Sequence, residues 1–179
     1  MLQRWLRPRP AVAAGRRLYL WVVEQARTPA LYRDMGAPDT LEGRFELYTL
    51  HLILLLRRLR GEGPQAKETS QALFDAYLQA LDDTYRELGV GDLSMAKKMR
   101  KLGEAVYGRM KSYDAALDLL PDTTELGAVA ARTVFDGVAQ ADVDALCQYV
   151  SAWTAALAAS PIDMFLDGRA PETLETATS

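Results

Sequence analysis

The chain has 179 residues and a mass of 19.8 kDa, with 49% apolar and 25% charged residues. That fits one domain burying roughly 70% of the surface its unfolded chain exposes, and excludes a disordered, collagenous or strongly polyionic polymer. One Cys and one His exclude an intrachain disulfide and a four-ligand Cys/His zinc site, and the absence of disulfides suits a reducing compartment.

The net charge of -3 is unevenly divided. Residues 1–113 carry 19 Lys and Arg against 13 Asp and Glu, whereas residues 114–179 carry 2 against 11. Such polarity favours orientation toward an anionic partner, be it a membrane face, nucleic acid or an acidic protein; the alternative is an ordinary solvated surface.

Residues 1–15 form a basic segment with Arg4, Arg7 and Arg9, and its apolar patch Ala11–Ala14 is too short for a secretory signal. A first helix is expected over Arg16–Arg27, with Leu20, Val23 and Arg27 on one side. Thr28-Pro29 then supplies a cap and an N1 proline for a short helix ending near Gly36. Asp39-Thr40-Leu41-Glu42 is a variant capping box opening the longest apolar helix, which ends at Arg57, Arg58 and Arg60 before Gly61. Its run Leu47–Leu56 is apolar nearly all round, which predicts a central position with neighbours on several sides. That run falls well short of the ~20 residues of a membrane span.

Gly61–Lys67 reads as a loop and Ser70–Leu88 as a helix, with Phe74, Leu78, Leu81, Tyr85 and Leu88 at three- and four-residue spacing. Gly89-Val90-Gly91-Asp92 ends that helix and starts the next, the pattern of a tight αα-hairpin. The following helix, Leu93 to about Leu117, has Met99, Leu102, Val106, Met110 and Tyr113 inward. Its other face carries Lys97, Lys98, Arg100, Lys101, Arg109 and Lys111. Asp122-Thr123-Thr124-Glu125 opens another helix. A last helix shows Leu146, Val150, Trp153 and Leu157 before Pro161 stops it. Ala145–Ile162 carries no charge, but its Gln148, Ser151, Thr154 and Ser160 mark packed core rather than a span. With no alternating strand pattern, the fold class is all-α: a single-domain irregular bundle of about six to seven helices around a central apolar helix. The expected division is 1–15, basic segment; 16–165, helical domain; 166–179, polar frayed tail.

Catalytic chemistry finds little support. A bundle di-iron centre needs two Glu-x-x-His pairs, which one His does not supply. Gly89-Val90-Gly91 leaves a helix and is followed by Ser94, so it is no nucleotide-binding loop, and neither a Gly-x-Ser-x-Gly elbow nor a Walker sequence occurs. Asp75, Asp82 and Arg86 share a face, but an Asp82–Arg86 pair at i,i+4 accounts for them. Cys147 sits in an apolar helix as a small buried hydrophobe. No catalytic residue, metal or cofactor is expected.

Recognition is the remaining class. Lys97, Lys98, Arg100, Lys101, Arg109 and Lys111, with Tyr107 and Tyr113 nearby, suit contact with RNA, a ribosome or anionic lipid, or else form a solubilising face. Gln25, Arg27, Asp39, Arg44, Glu46 and His51 form a polar cluster, and Arg44 and His51, seven residues apart, share one side of the central helix. An Arg there needs a carboxylate from Asp39, Glu46 or Asp75. Such a cluster is either an internal ion-pair network or a recognition groove.

Several fragments are familiar in order and spacing: Gln25-Ala26-Arg27, Pro29, Tyr32, Pro38-Asp39-Thr40, Gly43-Arg44-Phe45-Glu46, Leu50-His51, Gln71-Ala72-Leu73-Phe74-Asp75, Arg86-Glu87-Leu88-Gly89-Val90-Gly91-Asp92, and Tyr107-Gly108-Arg109 with Tyr113. Over about Leu18–Val150 the chain resembles the ubiquinol-cytochrome c chaperone family. The resemblance implies a non-enzymatic assembly factor for respiratory complex III, the cytochrome bc complex. In mitochondria such a factor binds newly made cytochrome b and works with a small partner protein near the ribosomal tunnel exit. Without the mitochondrial presequence or membrane-anchoring segment, the chain is expected to be a bacterial version. It would act from the cytoplasm, peripheral on the cytoplasmic face of the inner membrane, with no DNA contact.

The expected client-binding residues are Gln25, Arg27, Tyr32, Asp39, Arg44, Phe45, Glu46, His51, Asp75, Arg86, Glu87, Asp92, Arg109 and Tyr113, lining a groove at the Arg44 and His51 side and the Gly89 hairpin. Lys97, Lys98, Arg100, Lys101 and Lys111 would face the membrane or ribosome. Two rival readings are a peripheral membrane or prenyl-lipid binding module and an RNA- or ribosome-binding factor.

Overall fold

A computed structural model describes residues 10–172 and residue 174. Eight helices, and no strand, occur among the described residues: α1 Pro10–Ala26, α2 Pro29–Arg33, α3 Leu41–Leu59, α4 Pro64–Glu87, α5 Asp92–Leu117, α6 Thr124–Arg132, α7 Val143–Ala159 and α8 Ile162–Leu166. The all-helical single bundle matches expectation. Most of the basic segment, residues 1–9, and most of the far end of the chain lie outside the described residues.

α3 is the axis. Thr40 caps it, its hydroxyl accepting from the Gly43 amide at 3.1 Å. From Leu50 to Leu55 every residue is buried, so the helix has no solvent face there. Its neighbours are α1, α4, α5 and α7. The arginines at its end do more than offset their own helix dipole. Arg58 donates to the carbonyls of Leu157 and Ser160 at 2.9 and 3.0 Å, closing the C-terminus of α7, while Arg57 and Arg60 pair with Asp114 on α5.

α1 and α4 lie closest together. Gly15 makes this possible, since a Cβ there would stand 2.5 Å from the Leu73 nitrogen and 2.6 Å from the Ala72 Cβ. α4 starts at Pro64, six residues before the expected Ser70, because a proline at N1 costs no helical hydrogen bond. Its other end is a Schellman stop. Gly89 takes φ +84°, its amide donates to Arg86 O, and the Val90 amide donates to Tyr85 O, so the chain reverses at once into α5.

Two features escape helical periodicity. α8, a five-residue helix after Pro161, buries Phe165 completely. Beyond it the chain returns along α1, where Arg17, Trp21 and Gln25 donate to the carbonyls of Asp167, Pro171 and Glu172 at 2.6, 2.6 and 3.3 Å.

Candidate partner-binding cleft

The polar cluster of the central helix divides into a sealed part and an open part. His51 is fully buried. Its Nδ1 lies 2.8 Å from the Leu47 carbonyl, which only accepts, so the proton is on Nδ1, and Nε2 accepts from the Tyr149 hydroxyl at 2.8 Å. Burial pushes the imidazole pKa down to about 4. His51 is therefore a neutral, satisfied core residue and lines no groove. It shares a stripe with Arg44, as the seven-residue spacing requires, but lies about 10 Å deeper along the axis.

Glu46 is sealed as well. At 7% exposure it accepts from Arg109, whose Nε and Nη2 reach its two carboxylate oxygens at 2.9 and 2.7 Å. Arg109 thus points into the bundle and leaves the basic outer face. Tyr113 is buried, its hydroxyl 2.9 Å from that of Thr133, and burial pushes its pKa up. Gln25 is buried and tied to the Glu172 carbonyl. His51, Glu46, Tyr113 and Gln25 are buried and so are closed to a partner at the surface, whereas Arg109, 32% exposed, is held toward the bundle by its pair with Glu46.

Arg27, Tyr32, Asp39, Arg44 and Phe45 come together in the open part. Arg27, at the end of α1, donates through Nε to the Tyr48 hydroxyl at 2.6 Å, with its guanidinium 6.0 Å from that ring's centroid. Arg44 pairs with Asp39 at 2.6 Å, both more than half exposed, and this pairing holds the Asp39 carboxyl below its usual range. Tyr32, on α2, donates to the Ala26 carbonyl, fixing its ring against the end of α1.

Arg27 and Arg44 stand on the rim shared by two depressions. One, about 190 Å³, is floored by Val23, Leu41, Phe45, Tyr48, Tyr77 and Tyr85, among others. Its wider neighbour, about 520 Å³, is lined by Arg27, Pro29, Tyr32, Arg33, Asp39 and Arg44. Chemically this is an aromatic slot with two guanidinium groups at its mouth. It suits an apolar side chain with a carboxylate beside it. Nothing along it pairs a nucleophile with a base.

The remaining expected residues lie apart from this slot. Asp75 is exposed on α4 and accepts from Gln71. Arg86 joins Asp82 and Asp92 across the Gly89 turn, which stiffens the hairpin, and Glu87 is exposed beside it. Lys97, Arg100, Lys101 and Lys111 are exposed along α5. Lys98 is turned onto the Tyr85 ring, its Nζ 4.4 Å from the centroid, so it is the floor of the slot rather than the outer face that it supports. Tyr19, Tyr48 and Tyr77 escaped sequence reading, and Tyr85 entered it only through the apolar spacing of its helix. Each looks like one more helical core position, and only folding reveals that three helices bring them together.

A family model described as ubiquinol-cytochrome C chaperone matches residues 33–174. The chain belongs to the ubiquinol-cytochrome C chaperone family. It is similar to a solved structure described as the Cbp3 homolog from Brucella abortus, with a TM-score of 0.83, 30% identity and 93% of each chain covered. It is also similar to ubiquinol-cytochrome-c reductase complex assembly factor 1 of Xenopus laevis, 23% identical over 104 residues that make up 58% of this chain and 52% of that protein. The mouse assembly factor 1 is 25% identical over 123 residues, 69% of this chain and 41% of that protein. The chain spans about half the length of these curated relatives. The matched stretch of this complex III assembly chaperone family holds Arg44, Phe45, Tyr48, Tyr77 and Tyr85, whereas Tyr19, Val23 and Arg27 precede it.

Proposed function

We propose that the chain is a non-enzymatic assembly chaperone for respiratory complex III that holds a segment of newly made cytochrome b in the slot between α1, α3 and α4. The observation that carries this reading is the exposure of Arg27 and Arg44 at the mouth of an aromatic-floored cleft. Two cations with free N–H groups flank a surface that buries an apolar side chain, and rigid aromatics with Arg are what concentrate binding energy at polypeptide interfaces. The aromatic-floored slot of about 190 Å³ takes a side chain or two, and its open neighbour is walled by Arg27, Arg33, Asp39 and Arg44, a charged lining that suits a polypeptide and disfavours a prenyl tail. The chaperone would meet its client on the cytoplasmic face of the inner membrane, alone or with a small assembly partner.

The test reverses the charge of Arg27 and Arg44 together and measures recovery of newly synthesised cytochrome b with the tagged protein. Neither side chain is buried, so the thermal midpoint should hold while capture falls at least tenfold. Undiminished capture by a folded variant rejects the slot. Arg109 is unsuitable for this purpose, since its loss strands Glu46.

A further inference from the structure

One stripe of α5 has no partner among the described residues. At 100° per residue, Leu93, Lys97, Arg100, Lys101, Glu104, Tyr107 and Lys111 fall within one outward-facing third of the helix, whereas Lys98 and Arg109 fall about 140° and 160° from Leu93 and point inward. Leu93 is 101% exposed and Tyr107 73% exposed. These large apolar side chains bracket three of the four cations over about 21 Å of helix. Glu104 is the one acid of the stripe. Asp92 beside Leu93 is paired with Arg86 while Glu87 at the hairpin is exposed, so the attraction for an anion comes from the four cations of the stripe rather than from the tip.

We infer that this stripe is a docking face for an anionic lipid bilayer, with Leu93 and Tyr107 seated at the headgroup boundary and Lys97, Arg100, Lys101 and Lys111 on lipid phosphates. Charge complementarity commits the face to an anion, and its apolar anchors choose the kind. An exposed Leu gains nothing from a nucleic-acid backbone but inserts favourably among acyl chains, and Tyr prefers the membrane interface. Lysines, three of the four cations, serve as point charges for a fluid array of phosphates and do not need the geometry of bidentate readout. The inference deepens the proposed function by placing the chaperone flat on the surface where a membrane-protein client emerges. It rests on that reading for its biological setting, while its physics requires no client.

The experiment sediments the purified full chain with phosphatidylcholine vesicles, with and without phosphatidylglycerol, and separately measures retention of a single-stranded homopolymeric RNA. Binding is expected on the anionic vesicles alone and should weaken with salt. Replacing Lys97, Arg100 and Lys101 with Gln should cost roughly fivefold for each cation, on the order of a hundredfold together. Leu93→Ala should cost several-fold, and the emission of Leu93→Trp should shift to the blue on anionic vesicles. Equal binding to neutral vesicles, no binding to either, or RNA retention with Leu93→Ala silent overturns the inference. Because these assays contain no cytochrome b, their failure leaves the slot standing, and loss of client capture through Arg27 and Arg44 leaves the lipid face standing.

Discussion

Arg109 on α5 and Glu46 on α3, 63 residues apart in the chain, meet in a two-pronged ion pair inside the bundle. The Glu46 side chain is 10% exposed and that of Arg109 32%, so the carboxylate depends on the guanidinium far more than the reverse. Losing one partner of a fully buried pair costs about 3–5 kcal/mol. Because Arg109 retains some water, Arg109→Ala is expected to cost about 2 kcal/mol, with Glu46→Gln smaller. A double-mutant cycle in denaturant should show coupling of at least ~1 kcal/mol. Additive effects would reduce the pair to a surface contact.

Gly15 and Gly108 predict opposite outcomes for one substitution. At Gly15 a methyl group meets the Leu73 backbone nitrogen at 2.5 Å, which yields only if α1 and α4 separate. Overpacking of that kind costs about 1–3 kcal/mol, more than the ~1 kcal/mol of helix propensity that alanine brings. At Gly108, in α5, an added methyl group meets nothing within 4 Å beyond its own stretch of helix. Gly15→Ala should therefore lower the thermal midpoint and Gly108→Ala should raise it.

Much of the fold was legible because its signals are local. The all-round apolar run Leu47–Leu56 marked the central helix, Thr40 its cap, and Gly89-Val90-Gly91 the reversal between α4 and α5. The site was less legible because periodicity gives the angle of a side chain around its helix, not its depth along the axis or what packs on it. Arg44 and His51 share an angle, yet one lies in water and the other in the core. Lys98 and Arg109 lie about 120° and 140° from the centre of the outer stripe, a difference that a simple list of basic residues hides. Tyr19, Tyr48 and Tyr77 come from three helices and meet only through the packing of α1, α3 and α4.

The return of the chain along α1 is a further case, because carbonyl acceptors carry no sequence signature. Gly168 takes φ +75°, and a Cβ there would stand 2.7 Å from both the Ala14 Cα and the Arg17 Nε. Gly168→Ala is thus strained in backbone and in space, and should cost about 1–3 kcal/mol. Truncation after Leu166 removes three side chain–carbonyl bonds and uncovers Trp21, for a loss of about 2–4 kcal/mol at roughly 1 kcal/mol per hydrogen bond plus apolar area. Hydrogen exchange along α1 should quicken in both variants. An unchanged α1 would mean that the returning segment contributes no stability.

His51 makes the stability of the fold depend on pH. In the folded chain its pKa is about 4, against 6.5 for a free imidazole. Between those values the unfolded chain takes up a proton that the folded chain refuses, so stability declines as pH falls from about 6.5 toward 4 and is independent of His51 above that window. The full effect is about 3 kcal/mol, and about 2 kcal/mol is already lost at pH 5. His51→Gln keeps a polar group beside the Leu47 carbonyl and the Tyr149 hydroxyl but has no proton to gain. Denaturant midpoints for both proteins at pH 7, 6 and 5 should converge, the parent losing stability across the range and the variant much less. A gap that stays constant with pH would mean that the imidazole is not held neutral by burial.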